Sequence, residues 1–154
     1  MKKFSIIEKH DLEEVNSSLA GKLDDDVTNG QELAEGGKNS DAVQIFLNSW
    51  NSLPEPKKEW ALYSNWISSA LCEAFLNQKD FVESLKWAQI SLETRSSEVG
   101  TREFIRLGKV CFEMGAFDQS NDWFKMAFDL GGKRAFQGES SKYLKFYLEE
   151  RTKR

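Results

Sequence analysis

Large apolar and small residues recur at helical spacing along most of this chain. From Thr101 onward, Phe104, Leu107, Gly108 and Cys111 fall on one face of a first helix, and Phe117, Ser120, Phe124 and Ala127 on one face of a second. Gly108 and Ser120 allow the two helices to approach closely, and Gly115, between them, suits the left-handed backbone of a turn. Upstream, Trp60, Tyr63, Ile67, Ala70, Leu71 and Ala74 follow i, i+3, i+4 spacing, which predicts a helix opening at Pro56, a favourable first-turn residue. Towards the C-terminus, Tyr143, Leu144, Tyr147 and Leu148 predict a helix capped by Ser140 or Ser141. Towards the N-terminus, Asp11 followed three residues later by Glu14 forms an acidic capping box, with Leu12, Val15 and Leu19 on one face behind it. Strand-type alternation is hard to find, and the only prolines are Pro54 and Pro56. The expected fold class is all-α.

The same spacing repeats. FVESLKWAQISLE, from Phe81, lies over FDQSNDWFKMAFD, from Phe117, matching Phe81 to Phe117, Ser84 to Ser120 and Trp87 to Trp123. A third copy, SDAVQIFLNSWNSLPEP, puts Ala42, Phe46 and Ser49 in the places of Ser120, Phe124 and Ala127. Self-similarity at this period points to stacked helical hairpins.

On these residues the sequence resembles the tetratricopeptide repeat family. The stretch from Thr101 carries Phe104, Leu107, Gly108, Cys111, Gly115, Phe117, Ser120, Phe124 and Ala127 at the family's large and small positions, with Gly132 in place of the closing proline. The first repeat keeps Leu33, Gly37, Ala42, Phe46, Ser49 and Pro54 but has Asp26 where a large residue is expected, so its first helix is expected to be short. The second keeps Leu71, Phe75, Phe81 and Ser84, with Ser68 at a large-residue position and Ala88 where phenylalanine is usual. The resemblance implies a short α-solenoid of about three helical hairpins in one domain: an N-terminal cap over 1–22, repeats over 23–56, 57–100 and 101–134, and a C-terminal cap helix over 135–154. Caps are expected because a solenoid otherwise leaves an apolar face bare at each end.

Composition narrows the function classes. A chain of 154 residues with 40% hydrophobic content suits about one globular domain. The opening MKKFSIIEKHD returns to charge too soon for a secretory segment, and no run approaches a membrane span, so the expected location is the cytoplasm, away from membranes. Cys72 and Cys111 lie far apart inside helical patterns and read as reduced core residues rather than a disulfide or metal pair. The net charge of −4 is unevenly placed: residues 1–36 carry four basic and nine acidic side chains, residues 133–154 seven basic and three acidic.

Candidate chemistry is sparse. His10, the sole histidine, sits in a charged stretch with no nucleophile pattern nearby, and reads as a solvent-exposed histidine. No phosphate-binding glycine loop, zinc-protease, nucleophile-elbow or calcium-loop motif occurs, and GGKR at Gly131 to Arg134 reads as a helix stop. Glu13, Glu14 and Asp24 to Asp26 read as a solvated acidic segment rather than a metal or acid/base pair. The reading is of a protein that is not an enzyme and uses no metal or cofactor. The dispersed basic residues and negative net charge argue against nucleic acid as a partner, and the aromatics of KYLKFYLEERTKR are needed for the cap.

The resemblance implies a concave groove lined by Asp24, Val27, Gln31, Ala34 and Glu35, by Trp66, Ser69, Glu73, Leu76 and Asn77, and by Arg102, Ile105, Lys109, Phe112 and Glu113. Trp66 is the expected anchor of a protein partner. Arg102 and Arg106, one turn apart, suit an acidic ligand. LPEPKKEW, IRLGKVCFEMGAFDQS and KRAFQGESSKYLKFYLEE also resemble a compact bacterial subgroup often encoded beside polymorphic or Rhs-type toxins. That resemblance implies an immunity protein that occludes a cognate toxin effector domain, with Glu13, Glu14, Asp24, Asp25 and Asp26 steering a basic partner. The alternatives are an adaptor holding a short peptide in the groove, and a self-associating structural subunit; the protein itself is expected to be a monomer or small homo-oligomer.

Overall fold

The computed structural model describes residues 10–153. Eight α-helices follow one another: α1 (Leu12–Val15), α2 (Ser17–Glu35), α3 (Asn39–Ser52), α4 (Ala61–Asn77), α5 (Phe81–Glu93), α6 (Arg102–Glu113), α7 (Phe117–Gly131) and α8 (Ser141–Lys153), with 3-10 turns at Lys57–Glu59 and Gly132–Phe136. Among the described residues there is no strand beyond an isolated pairing of His10 with Trp60. The chain is all-α, as the hydrophobic spacing predicts. It divides between Glu98 and Val99 into two compact units, the first holding α1 to α5 and the second α6 to α8.

Three helical hairpins, α2–α3, α4–α5 and α6–α7, are built alike. Each turn is closed by a bond spanning five residues: Lys38 N to Leu33 O (2.8 Å), Asp80 N to Phe75 O (3.0 Å) and Ala116 N to Cys111 O (2.8 Å). The residue before each donor takes positive φ: Gly37 at 82°, Lys79 at 60° and Gly115 at 82°. This left-handed residue satisfies carbonyls that would otherwise be orphaned at the helix end.

Helix contact within each hairpin is set by paired sizes. Gly30 faces Phe46 and Gly108 faces Phe124, so closely that a Cβ on either glycine would fall within 2.5 Å or 2.3 Å of the ring. The corresponding positions of the middle hairpin hold Cys72 and Ala88, both fully buried. Where the second helix gives up its phenylalanine, the first gains a side chain, and close packing is kept. The Ser84 hydroxyl donates to Cys72 O at 2.8 Å and the Ser120 hydroxyl to Gly108 O at 2.7 Å. These bonds satisfy buried hydroxyls and pin the helix pairs at the same register.

Several expectations are corrected. The first helix of the N-terminal hairpin is not short: α2 runs unbroken for 19 residues from Ser17, with Asn16 accepting from Leu19 N as its cap. The expected boundary at residues 22 and 23 falls inside it. Its buried stripe, Ala20, Leu23, Val27 and Gly30, outweighs the poor helix propensity of Gly21 and Gly30. What precedes it is only the single turn α1, where Asp11 accepts from Glu13 N; Leu12 is buried but Val15 points outward, 68% exposed.

Pro56 does not open the helix: it precedes the 3-10 turn, and α4 opens at Ala61 behind Trp60, whose indole donates to Pro54 O at 2.6 Å. Phe117, expected inside, lies half exposed at the start of α7. GGKR is more than a stop: Gly132 turns the chain at φ 60° into a 3-10 segment that buries Phe136. Tyr143 and Tyr147 of α8 are buried as expected, while Leu144 and Leu148 are half-buried.

Candidate functional site

In the first unit, the acidic stretch and an aromatic anchor meet through a residue that the hydrophobic pattern had assigned only to packing. Tyr63, in the first turn of α4, donates its hydroxyl to Asp24 Oδ1 on α2 at 2.8 Å. Its ring lies 6.3 Å from that of Trp66, one turn on. Partial burial, the hydrogen bond to Asp24, and the negative charges of Asp24, Glu13 and Asp11 push this hydroxyl up to about 12. Acidic residues of α1 and of α2 therefore act on one hydroxyl. Beside it, Leu62 is 69% exposed.

Asp24, Asp25 and Asp26 do not lie on a flexible segment. They occupy the middle of α2, where Asp24 and Asp25 face solvent and Asp26 pairs with Lys22 at 2.5 Å. Glu13 and Glu14 sit exposed on α1. Among the other expected groove positions, Val27 is fully buried and Ser69 is buried against Ser91 at 3.1 Å, whereas Trp66 and Glu73 are half-buried. His10 is exposed, 3.4 Å from Glu59.

In the second unit, the candidate positions on α6 are largely taken by the chain's own C-terminal segment. Ile105 is buried, and Lys109 is buried in an ion pair with Glu139 at 2.9 Å. Phe112 is enclosed edge-on by Phe117, Tyr143 and Phe146, at 5.4, 5.3 and 5.1 Å. Glu113 accepts from the Tyr143 hydroxyl at 2.7 Å and pairs with Lys142 at 2.6 Å. Burial would raise the Glu113 carboxyl, but the hydrogen bonds from Lys142 and Tyr143 and the charges of Lys142 and Lys109 outweigh it and hold the group below its usual range. Ile105 and Lys109 thus lack the exposure a groove lining needs: from Glu103 to Cys111 every position of α6 but Arg106 is buried, and α8 with its preceding turn covers Lys109, Phe112 and Glu113. Arg102 stays exposed and Arg106 half-buried.

Among the described residues, no three histidine, cysteine, aspartate or glutamate side chains gather as metal ligands. Neither Cys72 nor Cys111 is in a disulfide, and burial pushes Cys111 up from its ordinary value. No described helix is long and apolar enough to cross a membrane.

The fold and these surfaces define an all-α protein of helical hairpins with an acidic and aromatic surface on its first unit. Compared with protein-family models the sequence matches none, and a comparison with curated proteins finds no significant match.

Proposed function

We propose that this chain is a tetratricopeptide-like protein-binding module, and that it acts as a bacterial immunity protein that neutralises a toxin effector domain by occluding it in the cytoplasm. The observation that carries this reading is the convergence of Asp11, Glu13 and Asp24 around Tyr63, beside exposed Leu62 and half-buried Trp66. Such a surface offers a basic partner two things at once. The carboxylates steer it on approach, and the aromatic and aliphatic side chains give it apolar area to bury. Occlusion needs no chemistry from the chain, only an interface of about 1,600 Å² in total. The sequence resemblance to a toxin-associated bacterial subgroup supplies the choice of partner.

The test is co-purification of tagged protein from its native host. Wild type is compared with Trp66→Ala and with a Glu13→Lys, Glu14→Lys, Asp25→Lys triple variant. Asp25 is preferred to its neighbours because Asp24 holds Tyr63 and Asp26 holds Lys22, so charge reversal there would also disturb packing. Recovery of one tightly held toxin domain, retained less by both variants, is the expected result. Several weakly held proteins sharing a short peptide, or a toxin indifferent to these substitutions, would overturn it in favour of an adaptor or of another face.

A further inference from the structure

The two ends of the sequence differ in charge, and the structure gives each a surface. On the first unit, α1 and α2 carry Glu13, Glu14 and Asp25, exposed and without a cationic partner among the described residues, and α1 and the start of α4 expose Val15 and Leu62. On the second unit, the end of α7, the 3-10 turn and α8 form a basic face. Arg151 lies over the Phe128 ring at 5.0 Å, Lys125 is paired with Asp129 at 2.6 Å, and the turn exposes Lys133 and Arg134 close in sequence to Leu130, which is 40% exposed.

We propose that the chain associates with a second copy of itself, the acidic face of one copy receiving the basic face of the other. The occupant is argued from charge. The acidic and basic faces are complementary, and each carries exposed aliphatic side chains to bury. Most of the attraction is between exposed charges, so it is screened by salt. The association goes beyond the toxin-binding reading and does not depend on it; a basic partner would compete with it for the acidic face.

Sedimentation velocity of the full chain tests this in about 50 mM and about 500 mM salt, where the screening length falls several-fold. At low salt the weight-average mass is expected to climb above the monomer's 17.7 kDa as concentration rises, and at high salt to return to it. The Glu13→Lys, Glu14→Lys, Asp25→Lys variant and the Lys133→Glu, Arg134→Glu, Arg151→Glu variant should each stay monomeric. Mixing them should restore association, since each variant's reversed face then meets a complementary one. Helical content by circular dichroism, unchanged in both, separates loss of contact from loss of fold. Wild type that remains monomeric at every concentration in low salt, or variants that associate as wild type does, would overturn the proposal. Both results are read on the isolated protein, so they stand apart from the toxin co-purification.

Discussion

A methyl group added at Gly108 would put a Cβ 2.3 Å from Phe124 Cε1 and 2.4 Å from Cδ1, a contact that only movement of the ring or of the helix pair can relieve. Gly108→Ala is therefore expected to destabilise the protein by about 1–3 kcal/mol despite alanine's better helix propensity. Phe124→Ala, which empties a fully buried site, is expected to cost about 3–5 kcal/mol. The middle hairpin already holds the converse pair, Cys72 with Ala88. Combining Gly108→Cys with Phe124→Ala should then cost less than the two single changes added together, as urea unfolding of all three variants would show. Strict additivity would mean that the paired sizes are not coupled. Tyr63 offers a second test at this scale. Its raised hydroxyl favours the neutral form in the folded state, so its contribution is full below the ordinary value of 10.0 and is lost as pH rises towards about 12. In an absorbance titration Tyr63→Phe should remove the ionisation of one tyrosine from the high-pH part of the curve, while costing about 0.5–1.5 kcal/mol.

Among the helices, α8 is held by charge as well as by aromatic packing. Glu113 is held below its ordinary value through its bonds to Lys142 and Tyr143, so its contribution is present above the unfolded value of 4.5 and is lost as pH falls through the lower folded value. Acidification through that window should weaken hydrogen-exchange protection of α8 before that of α7, and Glu113→Gln should remove the acid dependence while leaving the ring cluster around Phe112 in place. Protection of α8 that does not change across this range would show that packing alone seats it. The α6–α7 hairpin was legible in sequence because every face position is local and its turn residue is glycine. The extent of α2 was not. Gly21, Gly30 and the run Asp24 to Asp26 suggest a break, and the stripe through Ala20, Leu23, Val27 and Gly30 that overrides them gains its meaning only against α3 and Phe46. The site was partly legible in the same sense. Asp24 and Trp66 could be named separately, but the residue that joins them, Tyr63, looked like one more member of an apolar face. Its signal was a phenol at a helix start, whose hydroxyl needs a partner, and that partner lies 39 residues away in sequence.

For the whole molecule, the division into two units falls in the only long non-helical stretch between hairpins that lacks a 3-10 turn, from Arg95 to Thr101. Ser96, Ser97, Glu98 and Val99 are all exposed there, and exposed non-helical connections are where proteolytic nicking concentrates. An endoproteinase that cuts after glutamate discriminates well among the candidate loops. Glu55 is exposed, but the next residue is Pro56, which blocks cleavage of that bond. Glu139 is tied to Lys109 beside the buried ring of Phe136. Glu13 and Glu14 lie within a capped helical turn. Limited digestion under native conditions should therefore cut first after Glu98 and yield two fragments, of residues 1–98 and 99–154, which mass spectrometry identifies directly. Replacing Glu98 with Gln should slow this first cut without changing the unfolding temperature, because the side chain is exposed. An initial cut at Glu13 or Glu14 would instead mean that α1 opens more readily than the connection between the two units.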